Sequence, residues 1–407
     1  MHRWVNAPRT ALASIGLVAC TCQHVLAQTP RWITVFDTSA RYYGWSNSIG
    51  GSGTQVYVPY AVQTTGRPND DLKAEFLVRS GYIWSQQKSN GVTAVGQSLT
   101  DTTLASTVTY YGWNGIHPFA SININAPTAK TSSGSSSTTR IDSDLVATPI
   151  FGEGWNIGPS IGASFAIDLS LIATLSYGYV YRGPFDEGPS LNATALNTPS
   201  GKLNPGDVST LDVGLGYSGD RFTGRISVSY STESRTYDDG MPLYQAGDRV
   251  IVTGKGGYAW TDNWSSRVAG SFSHFNHNNV PLQGVPDLVR EALNSNSDVY
   301  RVAFDTTYAS GNFSIGPTGA YLWRDHNGYD PTNLLFIPAK VSWSAGAAAD
   351  IAPTATTSIS LSVQHIWVHE NATANVVDAF NLVIANSGIP ESSTNAWVAT
   401  VGGSVRF

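Results

Sequence analysis

Apolar and polar positions alternate with a period of two along most of this chain. In RFTGRISVSYS, Phe222, Ile226, Val228 and Tyr230 fall on one side of an extended backbone, and Thr223, Arg225, Ser227, Ser229 and Ser231 on the other. The preceding LDVGLGY sets Leu211, Val213, Leu215 and Tyr217 against Asp212 and glycine. Successive side chains of a strand point to opposite faces, so this alternation predicts strands with one apolar face. The link SGD is short and contains Gly, so the two runs predict a hairpin. The same unit recurs around TDN, ASG, APTA and Asp168.

Between these hairpins lie longer polar, Gly/Pro/Asn-rich segments at 183–205, 233–247, 276–297, 325–337 and 369–395. The first half follows the same rhythm less cleanly. It predicts strands near 32–43, 54–63, 72–85, 103–113 and 117–126, long links at 44–53, 86–102 and 127–157, and short links at 64–71 and 114–116. The chain therefore reads as all-β, with about sixteen strands and fourteen as the alternative, and with short and long links in alternation.

Each hairpin strand is about 9–12 residues long, enough to cross a bilayer at a tilt. No water is available there to replace a missing hydrogen bond, so a spanning sheet has to close on itself. The fold expected is a transmembrane antiparallel up-and-down β-barrel with long outer loops and short periplasmic turns. After residue 27 no apolar run approaches 18 residues, which excludes helical spans.

Composition agrees. Charged residues are only 13%, while Gly numbers 40, Trp 12 and Tyr 19. A net charge of -6 argues against a nucleic-acid partner. The start, with Arg3 and Arg9 before the apolar ALASIGLVAC and then VLAQ, predicts a signal peptide over 1–27 and the barrel over 28–407. Leu17, Val18, Ala19 and Cys20 form a rival signal, a lipoprotein box with Cys20 as the lipidated residue. Cleavage after Ala27 would remove both cysteines.

The stretch WVATVGGSVRF places Trp397, Ala399, Val401, Gly403, Val405 and Phe407 opposite Thr400, Gly402, Ser404 and Arg406. It reads as the strand that closes the barrel, with an aromatic residue at each interface. An alternating strand ending in Phe resembles the assembly signal of Gram-negative outer-membrane β-barrels. The resemblance covers the leader, the strand rhythm and this last strand. It implies an outer-membrane location, lipid as solvent, and recognition of Phe407 by barrel-assembly machinery.

The polar faces assign a charged lumen. Arg41, Lys73, Arg79, Arg182, Arg225, Arg249, Lys255, Arg267, Arg301, Arg324, Lys340 and Arg406 point inward, with Asp37, Glu75, Asp212, Asp305 and Asp350. The plain reading is a solvated, salt-bridged lining. The functional reading is a pathway with a basic surplus and a mild anion preference; Arg225, Lys255, Arg267, Arg301, Asp305, Lys340 and Asp350 are its candidate lining residues. Two loop stretches, GVPDLVREAL (284–293) and VVDAFNLVIANSGIP (376–390), read as helix-like. They serve either as rim caps or as an apolar vestibule.

A second resemblance rests on FGEGWNIGPSIGASFAIDLS and LNPGDVSTLDVGLGYSGDRF, within about residues 150–275. These phrases resemble barrels of meta-pathway phenol degradation and, more distantly, FadL-type channels for hydrophobic compounds. FadL-type proteins have an N-terminal hatch, and none is expected here. The resemblance implies transport of hydrophobic or aromatic solutes and assigns no binding residues.

The residue types for catalysis are present at His274, His277, Asp325, His326, His365, His369 and Glu370. Same-face residues four apart on a strand lie about 13 Å from each other, so His365 and His369 do not share a metal. No phosphate-binding Gly loop leads from a strand into a helix. No cofactor and no enzyme activity are expected. The leading expectation is a passive outer-membrane channel for small solutes. The alternative is a structural or adhesive surface barrel working through its loops, and association between copies stays open.

Overall fold

The structure is a computed structural model that describes residues 32–89, 91–129, 154–186, 202–282, 284–333, 335–374, 376–377, 383–385, 388 and 390–407. The leader and its two rival processing signals lie outside the described residues. Seventeen strands form the main sheet. They are β1 (Trp32–Asn47), β2 (Ser52–Asn69), β3 (Leu72–Ser89), β4 (Val92–Leu99), β5 (Thr102–Tyr110), β6 (Ile116–Ala126), β7 (Asn156–Ala166) and β8 (Leu171–Arg182). They continue as β9 (Val208–Ser218), β10 (Phe222–Glu233), β11 (Arg249–Ala259), β12 (Trp264–Phe275), β13 (Val299–Ser310), β14 (Phe313–Arg324), β15 (Lys340–Thr354), β16 (Thr357–Glu370) and β17 (Ser392–Arg406).

Both β4 and β5 pair with β3, one above the other, so they share one stave and sixteen staves close the ring. The break between them falls at Thr100 and Asp101, which are 1% and 4% exposed. Buried hydrogen bonds hold it: Ser80 Oγ donates to the Thr100 carbonyl, and Asn125 Nδ2 donates to Asp101 at 3.0 Å. Every other main-sheet neighbour in the sequence pairs antiparallel with the next. The ring shuts where β1 meets β17, from Val35↔Arg406 to Asn47↔Thr394. Beyond that ladder, the Phe407 amide donates to the Thr34 carbonyl at 2.8 Å. Closure gives β1 and β17 a neighbour on both sides and so removes the open edges that hydrocarbon would not tolerate.

The turns at the end carrying Trp32 and Phe407 are short, and their residues explain them. Asp168 accepts from the amides of Ser170 and Leu171, Thr261 Oγ1 accepts from the amide of Trp264, and Gly311 takes φ 60. These are side-chain-closed turns, with glycine where the backbone is left-handed. The opposite end is not uniformly loop. Instead of the long links expected at 44–53 and 86–102, β1 and β2 continue to a turn at 48–51, and β3 and β4 continue as a ribbon around Gly91. The reason is that Gln, Ser and Thr serve a sheet, here the ladder running through β17, β1, β2, β3 and β4, as well as a loop, so polarity alone did not mark a strand end.

Alternation holds around the ring. Val213, Val228, Val268, Val302 and Phe304 are among the large apolar side chains exposed on one face. From β5 onward, every Asp, Glu, Lys and Arg within a barrel strand falls on the other face. A closed antiparallel barrel with such an uncharged band belongs in an outer membrane, the band against lipid.

The loops above β8 to β16 are built structures. Phe185–Asp186, Lys202–Asn204, Thr236–Asp238 and Met241–Tyr244 form a four-stranded sheet. Asn279–Pro281 pairs with Leu288–Arg290, and Gln245 bridges to Asn279. The helix expected over 284–293 is therefore replaced by a strand pair. Over 376–390 the described backbone also pairs as strands, Val376–Val377 with Val383–Ala385. Both stretches contain Val or Leu runs that suit either structure, and pairing with a neighbouring segment decided for the strand.

Candidate functional site: the polar wall and its rim

The seven candidate lining residues all lie on the polar face, at two levels. Near the loop side, Arg324, Lys340 and Glu370 stand side by side on β14, β15 and β16. Glu370 accepts from Arg324 at 2.7 Å and lies 3.6 Å from Lys340. Lys340 is only 3% exposed, so it is a locked rim residue rather than an open wall position. A matching bridge spans β9, where Arg182 Nη1 meets Glu233 at 3.1 Å. Glu233 and Glu370 were missed as lining residues. Each continues the parity of its strand's polar face, Glu233 following Ser231 and Glu370 following Val368, and that parity was the signal available.

Lower on the wall, Arg267 Nε donates to Asp305 at 2.8 Å across β12 and β13, and Arg267 keeps 69% side-chain exposure. Arg301 is exposed opposite Ser271. Asp350 stands between Ser314, which donates to it at 3.3 Å, and Ser360. Arg225 and Lys255 face each other directly on β10 and β11.

The polar face is not polar throughout. Tyr43, Tyr57 and Ile83 form one buried cluster and Ile366, Val368 and Ala396 another, both packed against Trp45 and Val398. By register these residues share the face of the charged wall, on β16, β17, β1, β2 and β3. Arg41 lies over the Tyr57 ring at 5.9 Å. Sequence alternation concealed this sector because Tyr and Trp pack inward as readily as they sit at an interface.

Aromatic side chains band the outer face at both ends. Trp343 stacks on Trp367 at 3.9 Å and Tyr300 on Trp323 at 4.9 Å toward the loops; Tyr258 meets Trp260 at 4.6 Å and Trp264 meets Tyr308 at 5.1 Å at the turn end. A repeat ties the upper band down. An Asp immediately before a descending strand accepts from an aromatic or imidazole group of the preceding ascending strand: Asp207 from Tyr179, Asp248 from Tyr230, and Asp298 paired with His274 at 2.7 Å. The phrases GDV, GDR and SDV carry this repeat in the sequence.

The loop assembly is held by buried amides and carboxylates. Asn327, 2% exposed, donates to the carbonyls of Ser295 and Leu335 and accepts from the Ile337 amide. Glu291 accepts from Ser295 Oγ at 2.8 Å. In this region burial, then the nearby Glu233 and Glu291 carboxylates, pushes the Tyr244 phenol far above its ordinary pKa.

Of the catalytic candidates, the sequence neighbours Asp325 and His326 approach to 4.0 Å, and the others turn to different partners. His277 Nδ1 meets the Glu291 carbonyl at 3.0 Å, and His326 Nδ1 meets the Asn327 carbonyl at 2.7 Å. His365 lies between Trp367 and Trp397 on the apolar face, whereas Glu370 faces the polar side. Among the described residues no group of three His, Cys, Asp or Glu is placed to hold a metal.

No family model and no curated protein matches the chain. Solved structures do resemble it in architecture. An outer-membrane channel from Pseudomonas putida F1 is 12% identical, covers 61% of this chain and 90% of its own, with a TM-score of 0.42. A FadL homologue from Pseudomonas aeruginosa is 8% identical over 92% of this chain and 90% of its own, also at 0.42. A mutant Rhodopseudomonas blastica porin is 13% identical over 92% and 99%, at 0.35.

Proposed function

We propose that the polar face lines an aqueous bore and that the protein is a passive outer-membrane channel for small solutes. The observation carrying this reading is the exposure of Lys255 midway along a closed wall, of Arg267 nearer its turn end and of Arg301 nearer its loop end. Charged side chains facing the inside of a sealed, dry cylinder would have to be paired or neutral. Exposure there means water. Sixteen staves at a spacing of about 4.8 Å and a tilt of about 40° give a backbone diameter of about 30 Å, wide enough for a channel between side chains. Arg and Lys outnumber Asp and Glu on that face, so a mild anion preference follows from the local field. The phenol-degradation and FadL-type resemblance favours aromatic solutes as cargo.

The ordered loop sheet favours a second reading, a surface barrel whose loops do the work. Purified protein in liposomes separates the two. Swelling with small sugars and aromatic acids, with an anion-selective current in planar bilayers, supports the channel. A barrel that folds, gives no swelling and passes no current supports the surface reading, and clear cation selectivity refutes the anion preference.

A further inference from the structure

Resting on the channel reading, we infer that Arg225 and Lys255 form a discrete binding subsite in the wall for an oxyanion, the carboxylate or phosphate group of a solute in transit. Other charged side chains on the polar face are matched. Arg267 has Asp305, Arg182 has Glu233, and Arg324 has Glu370. Arg225 and Lys255 are instead direct cross-strand partners of like charge. Among the described residues no carboxylate forms an ion pair with either. By register Asp212 on β9 stands opposite Ser229, while the residue opposite Arg225 is Gly216. Like charges placed directly opposite cost stability in a sheet, so the arrangement lacks a structural purpose without a third, negative group.

The wall on the β9 side of the pair is bare, with Gly214 and Gly216 at the neighbouring polar-face positions, while Thr223, Ser227 and Thr253 flank the pair along its own strands. A Cβ at Gly214 would sit 3.4 Å from Arg225 Nη2, and one at Gly216 would meet only backbone atoms, the nearest at 3.8 Å. Glycine there leaves a shallow bay beside two cations that both keep access to water. A planar guanidinium fork next to a mobile ammonium suits a group with two or more oxygens better than a monatomic ion.

The test uses the whole barrel in two formats. In planar bilayers, current carried by sodium benzoate or inorganic phosphate saturates with concentration, while chloride current stays linear. In detergent, phosphate raises Tm above an equal ionic strength of KCl, since a ligand of the native state stabilises it. Arg225→Gln combined with Lys255→Gln weakens the phosphate response by at least about tenfold, the loss of one charge-assisted hydrogen bond. Lys255→Glu, which supplies an internal partner for Arg225, removes it while keeping the barrel folded. Arg79→Gln removes a cation elsewhere on the polar face and leaves saturation in place, which separates a discrete site from the general field. A phosphate shift that persists in the double variant, or is absent in the unaltered protein, overturns the subsite. Loss of ion current with the Tm shift intact overturns the channel reading instead.

Discussion

Two neighbouring residues on β10 allow a direct test of which face meets lipid. Val228 is 42% exposed, midway along its strand, with Val213 and Val252 as its cross-strand partners. Arginine at that depth on the lipid side costs about 2–4 kcal/mol. That corresponds to about a 30- to 900-fold shift in the folding equilibrium. Ser229, one residue on, faces the other way and stands opposite Asp212. Arginine there gains a carboxylate partner in a wet environment, and its net effect stays within about 0.5 kcal/mol. Reversible urea unfolding in lipid vesicles, followed by tryptophan fluorescence, measures both. The expected result is a large loss for Val228→Arg and near neutrality for Ser229→Arg. The opposite order would mean that the charged wall faces the acyl chains, and the account of the fold and of the channel would fall with it.

Glu370→Gln takes the shared carboxylate from Arg324 and Lys340, whose side chains are 9% and 4% exposed. Removing the shared carboxylate takes one partner from each, while Arg324 keeps its bond to the Pro338 carbonyl, and a loss of about 1–3 kcal/mol is expected in the same unfolding assay. Asn327→Ala removes several side-chain bonds to loop backbone, so limited proteolysis should cut within 325–339 faster while the barrel stays intact. Gly206→Ala drives a Cβ into the Ser234 carbonyl and should lower stability by about 1–3 kcal/mol. The Asp330 carboxyl in the outer loop is held below its ordinary pKa by the Thr332 amide and hydroxyl. Its contribution is present above the unfolded pKa of about 3.9 and is lost as pH falls through the lower folded value. Thr332→Val should move that titration up, as read by carboxyl-carbon NMR of labelled Asp.

Much of the barrel was readable because alternation is a property of consecutive residues. Phe222 to Ser231 displays its two faces without reference to any other segment, and TDN or ASG announces a tight turn by itself. From these local signals come the strands, their faces, the stave number and the placement of Arg225, Lys255 and Arg301 on one wall. The errors fell where one composition serves two structures. The polar ends of β1 (44–47) and β3 (86–89) read as loop, and Leu288–Arg290 read as part of a helix-like stretch.

Thus the sequence alone determined the class of fold, the lipid-facing band and which side chains share the wall. The tertiary structure decided who pairs with whom. Glu370 reaches Arg324 across β15, Arg267 finds Asp305, and Arg225 is left facing Lys255. It also decided that Tyr43 meets Tyr57 and Ile83 in a buried sector of an otherwise polar face. The physical reason is that facing depends on parity within a strand, while partnership depends on register between strands. Register is fixed only when turns, bulges and ring closure are satisfied together.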